Sequence, residues 1–164
     1  MSRSIEKPHK VDQSEIYSRS LQQIEGVLAG EPDLIANMAN VAAIVKEALG
    51  FHWVGFYLVR ENELVLGPFQ GPIACTRIAR AKGVCGTAWN EARTLLVEDV
   101  NAFPGHIACS ALSRSELVIP LMDDLGKVIG VFDIDSSELG GLNELDKENL
   151  EMVVELLMRT QKNA

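Results

Sequence analysis

Three cysteines are the residues of this sequence that are best suited to chemistry. Cys75, Cys85 and Cys109 lie in stretches rich in glycine, proline and alanine, whereas a core cysteine usually lies inside a periodic apolar run. An odd number in a 164-residue chain argues against a framework of structural disulfides. Cys85 begins a predicted helix, where backbone N–H groups and the helix dipole favour a thiolate. Three buried, inert thiols are the alternative.

A metal site is the next chemistry that these residues suggest. Cys75, Cys85, His106 and Cys109 could supply three sulfurs and one nitrogen. Structural zinc sites usually bring their ligands in close pairs, and only His106 and Cys109 are close in sequence. We therefore expect no metal site, and we interpret His106 as a hydrogen-bonding loop residue.

Acidic and aromatic residues at even spacing form the second candidate group. Asp133 and Asp135 lie two apart on a predicted strand, so their side chains share one face, where two carboxylates suit a cation. Trp53 and Tyr57, four apart, also share a face of a strand. Glu116, at the start of another predicted strand, is a third acidic candidate. Each of these residues also has a plainer interpretation: Glu116 as a solvated residue at a strand start, the aspartates as turn caps, and the aromatic residues as core.

The elements that must position these residues follow from periodicity. An apolar stripe from Tyr17 to Leu28 predicts one helix, and a stripe over residues 34–49, ending at Gly50, predicts a second. A last helix begins after Asn143, with Asp146 in a capping-box arrangement. Between them we predict strands over residues 51–60, 63–69, 73–79, 94–100, 116–122 and 127–134, a short helix over 83–93 and a functional loop over 101–115.

Composition and charge exclude several classes of protein. The chain has 15 Lys and Arg against 23 Asp and Glu, a formal net charge of −8, and no basic cluster, so nucleic acid and anionic membranes are poor partners. Uncharged apolar stretches stop at about ten residues, half of what a membrane helix needs. The first fifteen residues are polar and lack a signal-peptide core. We expect a cytoplasmic protein.

Seven stretches of the sequence carry a family resemblance. They are GPFQG at 67–71, AC at 74–75, GVCGTA at 83–88, VEDV at 97–100, FPGHIAC at 103–109, SELVIPL at 115–121 and GVFDIDS at 130–136. Together they resemble the free methionine-R-sulfoxide reductases, which are stand-alone GAF-domain enzymes, and the resemblance covers about residues 15–160. It implies an α+β, GAF-like fold with a central antiparallel sheet of about six strands flanked by N- and C-terminal helices, in a single domain over 15–164 after a polar arm at 1–14.

The resemblance implies roles for the three cysteines. The family reduces the R epimer of free methionine sulfoxide, and Cys109 matches its catalytic cysteine, whose thiolate attacks the sulfoxide sulfur and becomes a sulfenic acid. Cys75 matches the position most often assigned the resolving role. Cys85 could resolve instead or pass the disulfide on, so the order of the two stays open.

The resemblance also implies substrate contacts and partners. Glu116 matches the carboxyl group that protonates the sulfoxide oxygen. Asp133 and Asp135, with Asp135 as the stronger candidate, match the site for the substrate's α-ammonium, and Trp53 and Tyr57 match an aromatic wall around its S-methyl group. The family needs no bound cofactor and uses an external reductant, for which we expect thioredoxin.

A homodimer is also expected from the resemblance. The apolar stripes of the first and last helices, Tyr17 to Leu28 and Leu150 to Leu157, could meet across a two-fold axis. Two rival functions lack turnover: a GAF module that senses a small molecule, and a redox sensor whose cysteines report oxidant.

Overall fold

Two capped helices come first in the described part of the chain, and the second of them packs on one side of a sheet. The computed structural model describes residues 12–107 and 109–162. Helix α1 (Gln13–Leu28) begins after Asp12, and α2 (Leu34–Leu49) begins after Asp33, whose side chain accepts a hydrogen bond from the N–H of Ala36. Gly50 ends α2 with a φ of 69°, the left-handed conformation that glycine adopts most easily. Both predicted helices are confirmed.

Six strands form one sheet in which every pair of neighbours is antiparallel. The sheet order is β3-β2-β1-β6-β5-β4, and the α+β architecture predicted from the sequence is confirmed. After α2 the elements are β1 (Trp53–Arg60), β2 (Glu63–Gln70), β3 (Arg77–Ala79), α3 (Gly83–Glu91), β4 (Leu95–Val97), a 3₁₀ turn (Val100–Ala102), β5 (Ser115–Met122), β6 (Val128–Ser136) and α4 (Glu144–Lys162).

The two faces of the sheet bury different sets of side chains. Val54, Phe56 and Leu58 of β1 pack in the cluster that also holds the buried residues of α1, α2 and α4. Alternate residues of the same strand, Trp53 and Tyr57, pack in a second cluster with α3 on the other face. Because strand side chains alternate, the predicted site residues of β1, β5 and β6 lie on the face away from the three long helices.

Two predicted strands are shorter than expected. The strand predicted over 73–79 is formed only by Arg77–Ala79, and the one over 94–100 only by Leu95–Val97. β3 pairs with β2 only as far as Val65 opposite Arg77. Cys75 therefore lies in the loop before β3, where it joins the site instead of the sheet.

The first and last helices are tied together within one chain. Asn143 and Asp146 form the predicted capping box, with the Asp146 N–H donating to Asn143 Oδ1 at 3.1 Å and the Asn143 N–H donating to Asp146 Oδ2 at 2.8 Å. Tyr17 Oη also donates to Asp146, at 2.6 Å.

The apolar stripes predicted to form a dimer interface are buried inside the chain instead. Tyr17 and Ile24 of α1 are at most 1% exposed, and Leu150 and Leu157 of α4 are fully buried in the same cluster. The α1 stripe packs against α2 and α4, and the α4 stripe packs against α1, α2 and β5, so neither stripe is free to meet a second copy. Of the predicted polar arm at 1–14, residues 1–11 lie outside the described part of the chain. None of the helices described is long and apolar enough to cross a membrane.

Candidate active site

Strand register brings the candidate side chains of β1, β6 and β5 into adjacent rows. Trp53 lies directly opposite Asp135, and Asp135 lies directly opposite Glu116. In the next row on this face, Gly55 lies opposite Asp133. Three central strands therefore place one aromatic ring and three carboxyl groups on a small area of the sheet.

Trp53 forms the centre of an aromatic wall. Its ring stacks between those of Tyr57, at 5.9 Å between centroids, and Phe69, at 5.3 Å. Its indole N–H donates to the carbonyl oxygen of Pro72 at 3.1 Å. Gly55 makes this packing possible, because a Cβ at that position would lie 2.6 Å from Trp53 Cη2 and 2.3 Å from Phe69 Cβ. The wall is thus a fixed apolar surface.

A disulfide closes one side of the site. Cys75 and Cys109 are bonded to each other, with their Cα atoms 5.3 Å apart and a separation of 34 positions in sequence. Tyr57 Oη donates to the carbonyl oxygen of Cys75 at 2.9 Å, which fixes the loop before β3 against the sheet. Cys109 lies in the long loop predicted to be functional. Both cysteines are only partly buried, so the bond is near the surface.

Cys85 has a different environment from the other two cysteines. It lies in the first turn of α3, is 4% exposed and has a free thiol, which donates to Glu116 Oε1 at 3.6 Å. Burial, then the charges of Asp133, Glu116 and Asp135, raise the pKa of this thiol well above its usual value. The prediction that the helix start favours a Cys85 thiolate is wrong, because desolvation and nearby carboxylates outweigh the helix dipole.

The three acids are buried and repel one another's charge. Glu116, Asp133 and Asp135 are between 5% and 9% exposed. Burial, followed by the charge of Asp135, raises the pKa of Glu116 to about 8. Burial also raises the pKa of both aspartates well above the usual range, with Glu116 adding to the effect on Asp133 and Asp133 adding to that on Asp135. The interpretations of Glu116 as solvated and of the aspartates as turn caps are therefore wrong.

One pocket collects almost all of the predicted site residues. Seven of the eight predicted site residues line this pocket: Trp53, Tyr57, Cys85, Cys109, Glu116, Asp133 and Asp135. The eighth, Cys75, is bonded to Cys109. An acid with a raised pKa, one sulfur of a disulfide and an aromatic surface thus face one small volume. This arrangement suits reduction of a small polar molecule that carries a cationic group and an apolar group.

Several residues that line the pocket were given no substrate role from the sequence, among them Ser113, Lys82 and His106. The Ser113 side chain hydrogen-bonds Asp135, and Lys82 is the only lysine or arginine among the residues that line the pocket. His106 was interpreted as a hydrogen-bonding loop residue, but its buried Nδ1 has no hydrogen-bond partner among the described residues. The sequence signal for Ser113 was the aperiodic loop in which it lies.

Comparisons with known proteins show what the whole chain is similar to. The GAF domain family matches residues 33–160. GAF domain-containing protein A of Dictyostelium discoideum is 57% identical over 90% of this chain and 94% of its own, and free methionine-R-sulfoxide reductase of Escherichia coli (strain K12) is 43% identical over 88% and 87%. The X-ray structure of free methionine-R-sulfoxide reductase from Neisseria meningitidis in complex with its substrate is 49% identical, with a TM-score of 0.89 over 99% of this chain and 93% of that one.

Proposed function

The chain belongs to the free methionine-R-sulfoxide reductases within the GAF domain family, and we propose that it reduces free L-methionine-R-sulfoxide to methionine. The observation that carries this proposal is the Cys75–Cys109 disulfide at the edge of a pocket that also holds Glu116 and the aromatic wall. A thiol pair beside a protonated acid is what sulfoxide reduction requires.

The first step is attack of the Cys109 thiolate on the sulfoxide sulfur. A sulfoxide sulfur is a poor electrophile until its oxygen is protonated, and Glu116, whose pKa is raised to about 8, holds the proton at neutral pH. The oxygen moves to Cys109 as a sulfenic acid and methionine leaves. The substrate sulfur gains two electrons and Cys109 loses two.

The second step is condensation of the sulfenic acid with Cys75. The Cys75 thiol displaces the hydroxyl group of Cys109, a disulfide forms, and water leaves. The Cys75–Cys109 bond supports Cys75 as the resolving cysteine. Cys85 is buried and is bonded to neither, so we assign it no redox step.

Charge and shape support recognition of the free amino acid. The α-ammonium binds Asp135 and Asp133, and the S-methyl group packs against Trp53 and Tyr57. A peptide-bound methionine sulfoxide has no ammonium, so it would leave buried carboxylates unpaired. The acid and the aromatic wall contact different substituents of the chiral sulfur, which selects one epimer.

Thioredoxin is the reductant that we propose for the disulfide, with cytoplasm as the compartment. Ile73, two residues before Cys75, is 90% exposed, and Leu112, three residues after Cys109, is 63% exposed. Apolar side chains beside a reducible bond suit docking of a dithiol protein. We expect Leu112→Asp to lower turnover with thioredoxin about tenfold and to leave turnover with dithiothreitol unchanged, because Leu112 is exposed and does not line the pocket. Equal turnover with thioredoxin would contradict this docking surface.

A homodimer is a further part of the proposal. Val27 on α1 is 40% exposed and Met152 on α4 is 43% exposed, so both helices retain outward apolar side chains besides their buried stripes. Sedimentation equilibrium is expected to give twice the chain mass. The mass of a single chain would contradict a dimer.

The test of the proposed function is methionine release from each sulfoxide epimer with dithiothreitol. The wild type is expected to release methionine from the free R epimer, and Cys109→Ser is expected to release none. A sensor, whether of a small molecule or of oxidant, would consume no substrate. Full activity of Cys109→Ser would also contradict the mechanism.

A further inference from the structure

A thiol and two carboxyl groups meet on the inner side of the pocket. Cys85 of α3, Glu116 of β5 and Asp133 of β6 each offer one donor atom, and these three atoms lie within 4.8 Å of one another. All three side chains are at most 6% exposed. They do not include the cysteines of the disulfide.

One oxygen in this cluster has no well-placed hydrogen-bond donor. Asp133 is 5% exposed, and its Oδ1 accepts no hydrogen bond of normal geometry from any described residue, although Glu116 and Cys85 interact with the Asp133 carboxyl group. A buried carboxyl oxygen is normally paired with a well-placed donor, because an unpaired one keeps its full desolvation cost. Asp133 lines the pocket beside Cys85 and Glu116, so this oxygen belongs to the same small space.

We propose that Cys85, Glu116 and Asp133 form a binding site for a thiophilic divalent cation such as Zn²⁺ or Cd²⁺. One sulfur and carboxylate oxygens are common zinc ligands, and a sulfur and an oxygen on one tetrahedral zinc ion lie about 3.6 Å apart. Cys85 Sγ and Glu116 Oε1 are 3.6 Å apart. Three protein ligands beside an open pocket leave the fourth position to water.

The cation is a competing ligand and not a resident cofactor. It occupies the space that the proposed function gives to the substrate's ammonium and to the Glu116 proton, so it blocks the reductase. Binding displaces the thiol proton of Cys85 and any proton that Glu116 or Asp133 holds: the S–H and O–H bonds break, sulfur–metal and oxygen–metal bonds form, and the protons leave to solvent. No electron is transferred. Only the blocking effect rests on the proposed function.

The oxidised chain isolates this site for a direct test. With Cys75 and Cys109 bonded, Cys85 is the one free thiol of the chain's three cysteines. Titration of oxidised protein with Cd²⁺ is expected to give an ultraviolet sulfur-to-cadmium charge-transfer band that saturates at one ion per chain, with proton release in weak buffer. No band with the folded wild type would overturn the proposal.

Variants identify the ligands. Cys85→Ala is expected to abolish the band, and Asp133→Asn is expected to weaken cadmium binding at least about tenfold. Glu98→Gln is the matched control, because Glu98 is an exposed acid outside the pocket lining. A band that persists in Cys85→Ala, or equal affinity in Asp133→Asn, would overturn the assignment.

Competition with methionine, the product of the proposed reaction, tests where the ion lies. Saturating methionine is expected to reduce the cadmium band, and an undiminished band would refute the overlap with the pocket. A chain that binds cadmium through Cys85 but releases no methionine from sulfoxide would refute the proposed function alone. A chain that turns over sulfoxide but shows no band would refute the metal site alone.

Discussion

Replacing Glu116 by glutamine changes how folding stability depends on pH. Glu116 is buried, and its pKa rises from 4.5 to about 8 on folding. Between these values the unfolded chain has lost the Glu116 proton while the folded chain keeps it. The folded state therefore binds more protons, so its stability falls as pH rises through this window.

The size of the effect follows from the pKa shift. One pKa unit corresponds to about 1.4 kcal/mol, so a shift from 4.5 to about 8 removes at most about 5 kcal/mol of stability by the upper end of the window. Water that enters the pocket when the acid ionises lowers this ceiling. The glutamine side chain of Glu116→Gln does not titrate, so the variant loses about 1.4 kcal/mol per pH unit less than the wild type.

Urea unfolding at several pH values from 5 to 8 measures this difference. The free energy of unfolding is expected to fall with pH in the wild type and to fall less in Glu116→Gln. Glu98→Gln, which removes an exposed carboxyl group, is expected to keep the wild-type dependence. Equal pH dependence in the wild type and Glu116→Gln would refute the reasoning that Glu116 stays protonated when folded.

Four further outcomes follow from the same contacts. Loss of the Glu116 proton above pH 8 is expected to lower methionine release by the wild type, and Glu116→Gln is expected to reduce turnover about 10² to 10⁴-fold; a flat pH–rate profile would contradict this. Asp135→Asn is expected to lower kcat/KM for free methionine sulfoxide at least about tenfold and to affect the N-acetylated substrate less, so equal losses would remove the ammonium contact. Gly55→Ala is expected to cost about 1–3 kcal/mol in urea unfolding and to change the near-ultraviolet tryptophan signal, because its Cβ would overlap Trp53 and Phe69; wild-type stability would contradict the close packing. Tyr17→Phe removes the hydroxyl that donates to Asp146, and thermal unfolding is expected to show a free energy of unfolding lower by about 1 kcal/mol. An unchanged free energy of unfolding would contradict a stabilising role for that hydrogen bond.

Local sequence patterns were sufficient to predict several of the helices and strands that position the site. The apolar spacing and the glycine at the end of α2 are visible in the sequence, and so is the capping box of Asn143 and Asp146. Even spacing also placed Asp133 with Asp135, and Trp53 with Tyr57, on shared faces. These features depend on residues close in sequence, so periodicity finds them.

Contacts between distant segments were not visible. The stripes of α1 and α4 were assigned to a dimer because an apolar face does not say which surface covers it. Here α2 and α4 cover the α1 stripe, and α1, α2 and β5 cover the α4 stripe. The Cys85 environment depends on carboxyl groups from β5 and β6, which no local pattern links to α3. The length of β3 could not be predicted either. Its pairing with β2 ends at Arg77, so the loop that contains Cys75 lies outside the sheet.

The most direct test of the central claim is a single turnover of the reduced chain without added reductant. Reduced protein mixed with free methionine-R-sulfoxide is expected to release one methionine per chain, and peptide mapping is expected to find a Cys75–Cys109 disulfide with Cys85 still a free thiol. No methionine release, or a new disulfide that contains Cys85, would contradict the account.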